Sequence, residues 1–379
     1  MTDLLRTRPA ATPAMLAVWS DAATIARALA FEAALARAQA AEGLIEPEAA
    51  GLIVSACEAL AVDPAELAEE AALAGTLAIP LVRRLRTAAG TAADAVHLGA
   101  TSQDMADTVM MLQAHAAAPL LIDDAARVRQ ALHRIAERHA ATPAVGRTLL
   151  QDAVPIGWGL RVAAWVAGIE DAAHRLTAET AMGSIAQLGG AVGTRAGMSG
   201  RGTAVAARVA EALKLGTGPP WHARRGSVAA IAAALGILIG ALAKMARDVS
   251  LLAQPAVGEA REPLVAGRGG SSTMAHKRNP TGCQVALAAA TRAPGLVAGV
   301  LAAMPAEWER GLGGWQAEGP MLADLFLLAS GAADAMAAVA EGLEVDEAAI
   351  ARNLGDMAEG ARDIGESAAL VRNLLNRRD

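Results

Sequence analysis

The run from Val228 to Leu252 constrains the fold more than any other part of the chain. Val228, Ile231, Leu235, Leu238, Leu242, Met245, Val249 and Leu252 recur at steps of three and four, which places them on one stripe of a helix. The 18 residues from Gly226 to Ala243 carry no charge, a length at the lower edge of what spans a bilayer. The stripe nevertheless continues through Lys244, Arg247 and Asp248. A seam that ignores the charge boundary predicts a helix buried in a protein bundle and no membrane partner, with Gly236 and Gly240 admitting close neighbours. Leu121, Ala125, Val128, Leu132 and Ile135 make a second such seam.

Composition agrees with helices. Hydrophobic residues are 54% of the 379, but aromatics only 2%, with six Trp, two Phe and no Tyr. A core of Ala, Leu, Val and Ile suits close-packed helices better than β-sandwiches, so an all-α chain is expected. Cys57 and Cys283 are the two cysteines, which supports neither a disulfide framework nor a cysteine zinc site, and the histidines have no metal-ligand spacing. No metal or cofactor is expected. Met1 to Pro13 is polar and does not read as a signal peptide, which makes a reducing, cytoplasmic setting the expectation. The formal net charge of −6 gives no cause to expect a nucleic-acid partner.

Organisation follows from the seams: a helical N-terminal domain over 1–103, a central long-helix domain over 104–341, and a short helical tail over 342–379. Residues 182–202 hold seven glycines, and apolar periodicity resumes on both sides, so this is a connection within the fold and not a linker.

The chemistry concentrates between Arg268 and Pro280. Arg268, Lys277 and Arg278 give that stretch three fixed positive charges and no acid, a local anion site on an acidic chain. Gly267, Gly269 and Gly270 allow the positive φ and the flexing that a closing loop needs. Ser271, Ser272 and Thr273 offer hydroxyls to move a proton or hold a carboxylate, while Lys277 and Asn279 offer a charge and an amide for an oxyanion. Pro280 ends the loop and a helix follows. The bland alternative is a solvated basic turn. A phosphate cradle is not supported, because no strand-like run precedes the glycines and no Gly-Lys-Ser/Thr follows them.

These residues resemble the signature loop of the fumarase/aspartase superfamily, Gly-Ser-Ser-x-x-Pro-x-Lys-x-Asn-Pro. Every fixed position is kept from Gly270 to Pro280 except that Ala275 replaces the first proline. Two more blocks occur in the superfamily's order. His97-Leu98-Gly99-Ala100-Thr101-Ser102-Gln103-Asp104 is similar to its carboxylate-binding block, in the form found in the 3-carboxy-cis,cis-muconate cycloisomerases. Taken alone, Thr-Ser-Gln-Asp is a helix N-cap, and a helix N-terminus also favours a bound carboxylate. In the second block, Gly146 to Pro155, the place where amine- and water-expelling members carry histidine is Leu149. Leucine transfers no proton, whereas a carboxylate nucleophile is already an anion near pH 7 and needs none. Gly189 to Thr194, Pro220-Trp221-His222, Lys244 to Asp248, and Glu309-Arg310 through Glu318 extend the resemblance over nearly the whole chain. The Phe31 to Ala36 helix resembles the family's first helices.

The resemblance implies a three-part helical fold with a long central bundle that forms the core of a homotetramer, its active sites shared between subunits. It implies a small polycarboxylate substrate and intramolecular lactonisation of 3-carboxy-cis,cis-muconate in aromatic catabolism, the protocatechuate branch of the beta-ketoadipate pathway. Ser271 then handles the proton, Lys277 and Asn279 hold the carboxylate that takes up charge, and Thr101, Ser102, Gln103, Thr148 and Gln151 anchor the others. Ser272 and Thr273 join the binding set. His97 is an anion contact, His222 a site-edge residue, His276 a solvated loop residue, and Arg147 either an ion-pair partner or a ligand. The alternatives are an adenylosuccinate-type lyase that releases fumarate, a cycloisomerase-like enzyme acting on another polycarboxylate, and a catalytically silent structural tetramer.

Overall fold

Long helices form where the seams predict them. The computed structural model describes residues 4–270, 274, 277–355, 357 and 363–376. A short α1 (Leu4–Thr7) and α2 (Pro13–Val18) lead into α3 (Asp21–Ala41), α4 (Pro47–Ala59), α5 (Pro64–Ala74) and α6 (Ala78–Ala89). Then come α7 (Ser102–Arg138), a hairpin of β1 (Pro143–Thr148) and β2 (Gln151–Gly157), α8 (Trp158–Gly183), α9 (Gly202–Leu213) and α10 (Gly226–Leu252). The chain closes with β3 (Ala260–Arg261), α11 (Thr281–Ala303), α12 (Gly314–Glu341), β4 (Glu344–Val345), α13 (Glu347–Leu354) and α14 (Ser367–Leu375). Thr12, Ser20, Asp63 and Asp346 each cap a helix by accepting from a first-turn amide, which satisfies donors that have no partner within the helix.

Helices α7, α8, α10, α11 and α12 pack against one another as the central bundle. All eight residues of the α10 seam are buried, Leu252 being the most accessible at 5%, so the stripe past Lys244 is protein core. Trp158, Trp165, Trp221 and Phe326 are the buried aromatics in a cluster otherwise made mostly of Ala, Leu, Val, Ile and Met. Of the two seam glycines, Gly236 lies against Val297, while Gly240 has open space within the subunit. Among the described residues, four helices have windows long and apolar enough to cross a bilayer by length and composition. The window in α10 is 56% buried inside the subunit, but that in α11 only 22%. An apolar groove of about 480 Å³ remains between α10 and α11, lined by Ile237, Gly240, Ala293, Pro294, Val297 and Leu301 among others.

A second cluster joins α3 to α6 with Met105 and Val109 of α7, Val205 and Val209 of α9, and Leu188 and Met198. The N-terminal packing therefore runs past residue 103, because α7 is continuous from Ser102 and its first turns serve both cores. Val371 and Leu375 of α14 and Ile350 of α13 join the bundle core, and β4 pairs with β3. The hairpin and this β3–β4 pair are strand elements that the all-helical expectation did not contain.

Candidate functional site

The first block forms the approach to α7. Thr101 is the N-cap, and its N–H donates to Asp104 Oδ2 at 3.0 Å. Asp104 is fully buried and also accepts from the N–H groups of Gly189 (2.8 Å) and Gly190 (2.9 Å), with His222 Nε2 at 2.7 Å from Oδ1. This explains the glycine pair in the 182–202 connection. A side chain at Gly189 would strike His222 and Pro220, and Gly190 has φ +71° with Gly99 O beside it. His222, expected at the edge of the site, is instead buried as a partner of Asp104.

Gln103 departs from its expected place in the same way. It is fully buried, donates to His222 O at 3.0 Å, and accepts from Arg310 Nε at 3.3 Å. As the second residue of α7 it turns into the subunit, where its amide holds other groups in place. Arg310, named above only within a resemblance, also donates to Thr101 Oγ1 at 2.6 Å. The half-buried Thr101 and Ser102 thus stand beside a guanidinium at a helix N-terminus, a favourable place for a carboxylate. His97 lies just before them with φ +62°. Its Nδ1 is 2.5 Å from Oε1 of Glu32, a buried acid on α3. Sequence reasoning gave Glu32 no role, although an acid between Phe31 and Ala33 in an alanine-rich helix was a visible signal. Nearby, Arg225, Asp107 and Glu318 form a buried ion triad that ties α10, α7 and α12 together.

The second block is the hairpin tip. Leu149 (φ +50°) and Leu150 (φ +63°) are its two turn residues, 96% and 78% exposed, and Thr148 pairs with Gln151 across it. Two positive φ values make the primed turn that matches strand twist. Thr148 and Gln151 are exposed, Gln151 Nε2 reaching only its neighbour Leu150 O. Arg147 resolves as an ion-pair partner, bonded to Asp152 (3.1 Å) and to the buried Glu259 (2.7 Å). Glu259 also takes Arg161 Nη1, Trp158 Nε1 and Asn353 Nδ2. Burial opposes its ionisation, but Arg147, Asn353 and Arg161 outweigh that and hold the carboxyl below its usual range. The base of the hairpin is fixed and its tip is left projecting.

The third block is the cationic loop. Gly267 (φ +76°) and Gly269 (φ +71°) adopt the left-handed conformation. Asn279 N donates to Gly269 O at 2.8 Å, and α11 begins after Pro280. Glu262 caps α11 by accepting from the N–H groups of Gly282 and Cys283. Arg278 is committed to Glu344 at 2.9 Å and to Glu262 O, so one of the loop's three cations is already neutralised. Lys277 is exposed and has no ion pair among the described residues, and the half-buried Asn279 lines an open groove of about 640 Å³ with Arg247, Ser250 and Gln284. Ser271, Ser272, Thr273 and His276 lie outside the described residues.

One subunit does not bring the three blocks together. Thirty-seven residues make α7 about 55 Å long at 1.5 Å per residue. The hairpin starts from the far end of α7, where Trp158 N bonds Thr142 O and Gly159 N bonds His139 O. Even folded straight back, a six-residue strand recovers only about 20 Å. Glu259 ties the end of α10 to the hairpin base, and Leu251 and Gln254 share a groove with Leu149. Hairpin and cationic loop therefore occupy one end of the bundle, and His97 to Ser102 the other.

The family model described as Lyase matches residues 7–295. The chain is 47% identical over 346 residues to the 3-carboxy-cis,cis-muconate cycloisomerase of Pseudomonas aeruginosa, covering 90% of this chain and 75% of that one. The crystal structure of the 3-carboxy-cis,cis-muconate lactonizing enzyme from Pseudomonas putida superposes with a TM-score of 0.88 at 38% identity, over 99% of this chain and 87% of that one. The nitrosuccinate lyase of Streptomyces davaonensis is 39% identical over 389 residues, 99% of this chain and 81% of its own.

Proposed function

We propose that this chain, which belongs to the lyase family of the fumarase/aspartase superfamily, catalyses the intramolecular lactonisation of 3-carboxy-cis,cis-muconate. The observation that carries the reading is likeness along nearly the full chain, in sequence and in fold, to enzymes of that activity. The chemistry of the hairpin tip supports it, since Leu149 stands where an acid for a departing amine or hydroxide would stand.

In the reaction, a substrate carboxylate oxygen forms a bond to one carbon of the diene. The displaced π pair moves to the neighbouring carbon and into the adjacent carboxylate as an enolate-like species. A proton then adds to that carbon, and no atoms are lost. The protein must stabilise the added charge and deliver the proton. Lys277, exposed and without an ion pair among the described residues, and Asn279 are assigned to the carboxylate that takes the charge. Ser271 is assigned the proton, with electrostatic help from Lys277, because a serine hydroxyl alone is a poor acid. Thr101, Ser102 and His97 anchor a second carboxylate, with Arg310 behind Thr101. Thr148 and Gln151 bring the hairpin's contacts, and Ser272 and Thr273 complete the loop's. Gln103 acts as a positioning residue for Arg310.

Because the blocks sit at opposite ends of one bundle, the working unit is a homotetramer in which different subunits supply different blocks. The accessible apolar face of α11 and the groove at Ile237 and Leu301 supply surface for that assembly. Both cysteines are free and buried, which supports a reducing compartment.

A second reading rests on the likeness to nitrosuccinate lyase over 99% of the chain. Elimination from nitrosuccinate would expel nitrite, another stable anion, so Leu149 does not decide against it. The test is to offer the purified protein 3-carboxy-cis,cis-muconate, nitrosuccinate and adenylosuccinate separately. Loss of diene absorbance with lactone formation is expected for the first. Fumarate release from either of the others, with no lactone from the first, would overturn the reading.

A further inference from the structure

We propose that Glu32 is a positioning residue for the substrate-binding block, holding Nδ1 of His97 so that Nε2–H is presented to a substrate carboxylate. The inference rests on the function proposed above and assigns a role to a residue that the motif does not contain. Its basis is geometric. Glu32 is 1% exposed in the middle of α3, and its Oε2 is buried with no partner among the described residues, while Oε1 is 2.5 Å from His97 Nδ1. A carboxylate is not placed in an apolar helix core without a paired charge, because its desolvation is uncompensated otherwise. His97 is the ion-pair partner it has among the described residues.

The chain around His97 is arranged to keep that contact. His97 adopts φ +62°, a conformation unfavourable for a side chain of its size. The flanking carbonyls are tied down from two helices: Gln39 Nε2, on α3 like Glu32, donates to Leu98 O at 2.6 Å, and Arg86 of α6 donates to Val96 O. The imidazole side chain is 13% exposed, and Nε2 has no hydrogen-bond partner among the described residues. An imidazolium with one of its two N–H donors taken by Glu32, four residues before the Thr101 cap, is suited to an anion.

The surrounding charges favour the cation. Burial works against it, but the charge and hydrogen bond of Glu32 outweigh burial, Asp104 of α7 adds to them, and Arg86 opposes. The net effect holds His97 above the ordinary imidazole range. Cys57 of α4 also faces Glu32, and burial first, then Glu32, pushes its thiol up to about 12, so it stays neutral. The sign follows: a raised pKa means the binding-competent cation is complete at low pH and lost as pH rises through the folded value.

The experiment follows His97 by NMR in histidine-labelled protein, its signal assigned by absence in His97→Gln, and measures kcat and KM for 3-carboxy-cis,cis-muconate from pH 5 to 9. Glu32→Gln is expected to lower the His97 midpoint by about 1–3 units, the usual effect of one adjacent opposite charge. The pH at which KM begins to rise should move down with it, and kcat at low pH should be nearly kept. Glu32→Asp, which retains the charge, should restore most of both and controls for folding. Binding of tricarballylate, an inert tricarboxylate, by calorimetry over the same pH range should weaken in parallel. An unchanged His97 midpoint in Glu32→Gln, or a moved midpoint with KM and tricarballylate affinity unmoved, overturns the proposal. A protein that binds tricarballylate and shows the shifted midpoint but does not turn over the diene would leave this pair standing and remove the assigned reaction instead.

Discussion

In the proposed lactonisation, Ser271 and Lys277 are assigned the two demands, a proton delivered and a charge held. Ser271→Ala should lower kcat about 10²–10⁴-fold, the usual worth of a positioned proton-transfer group, with KM nearly unchanged. Equal activity in that variant would refute the role. Lys277→Met should cost a comparable factor, whereas Arg278→Met should act chiefly on stability, because its guanidinium is spent on Glu344. Residue type and spacing marked the loop as cationic but not which of its cations was already paired. Gln103 shows the same boundary. A motif names the residues at a helix start, but the direction each side chain takes depends on groups such as His222 and Arg310, 119 and 207 positions away. Thr-Ser-Gln-Asp read as a helix N-cap, and Thr101 is that cap, with its N–H donated to Asp104. The bonds of Asp104 to Gly189, Gly190 and His222 span 85 to 118 positions and leave no local trace.

Among elements, the hairpin is the larger of the two strand pairs that the sequence concealed. Two-residue turns of this kind favour Asn-Gly or Asp-Gly, and Leu149-Leu150 in their place gives no hairpin signal. The ion cluster at Glu259 holds the hairpin base instead. Arg161→Met should therefore destabilise the protein by about 3 kcal/mol, the lower end of the range for leaving a buried charge short of a partner, since Arg147 remains. Urea unfolding checks this, and a loss within experimental error would contradict it. The pH dependence has a definite sign. A carboxyl held below its usual range gives stability that is fully present above the unfolded value near 4.5 and is lost as pH falls through the folded value. Glu259→Gln should flatten that acid limb, which acid titration of helix content would show. The long helices were legible because their seams repeat over many turns, and every predicted position of the α10 stripe is buried.

For the whole molecule, the length of α7 sets the separation of the blocks. It keeps His97, Thr101 and Ser102 away from Lys277 and Asn279 within one subunit, so the proposed lactonisation draws its blocks from more than one copy. Ile237→Glu combined with Leu301→Glu would place two charges in the groove between α10 and α11, where those residues are 48% and 49% exposed. Light scattering should find subunits smaller than a tetramer, activity should fall with assembly, and circular dichroism should remain helical. Domain boundaries were less legible than the helices, because α7 contributes to both cores without a break. The most direct measurement is complementation between two inactive variants. Ser271→Ala and Thr101→Ala damage blocks at opposite ends of the bundle, and each alone should show little loss of diene absorbance from 3-carboxy-cis,cis-muconate. Co-expressed in one cell, they should yield mixed tetramers with intact sites and a clearly higher rate than either parent. A mixture of confirmed hybrid tetramers no more active than its parents would contradict a lactonising site shared between subunits.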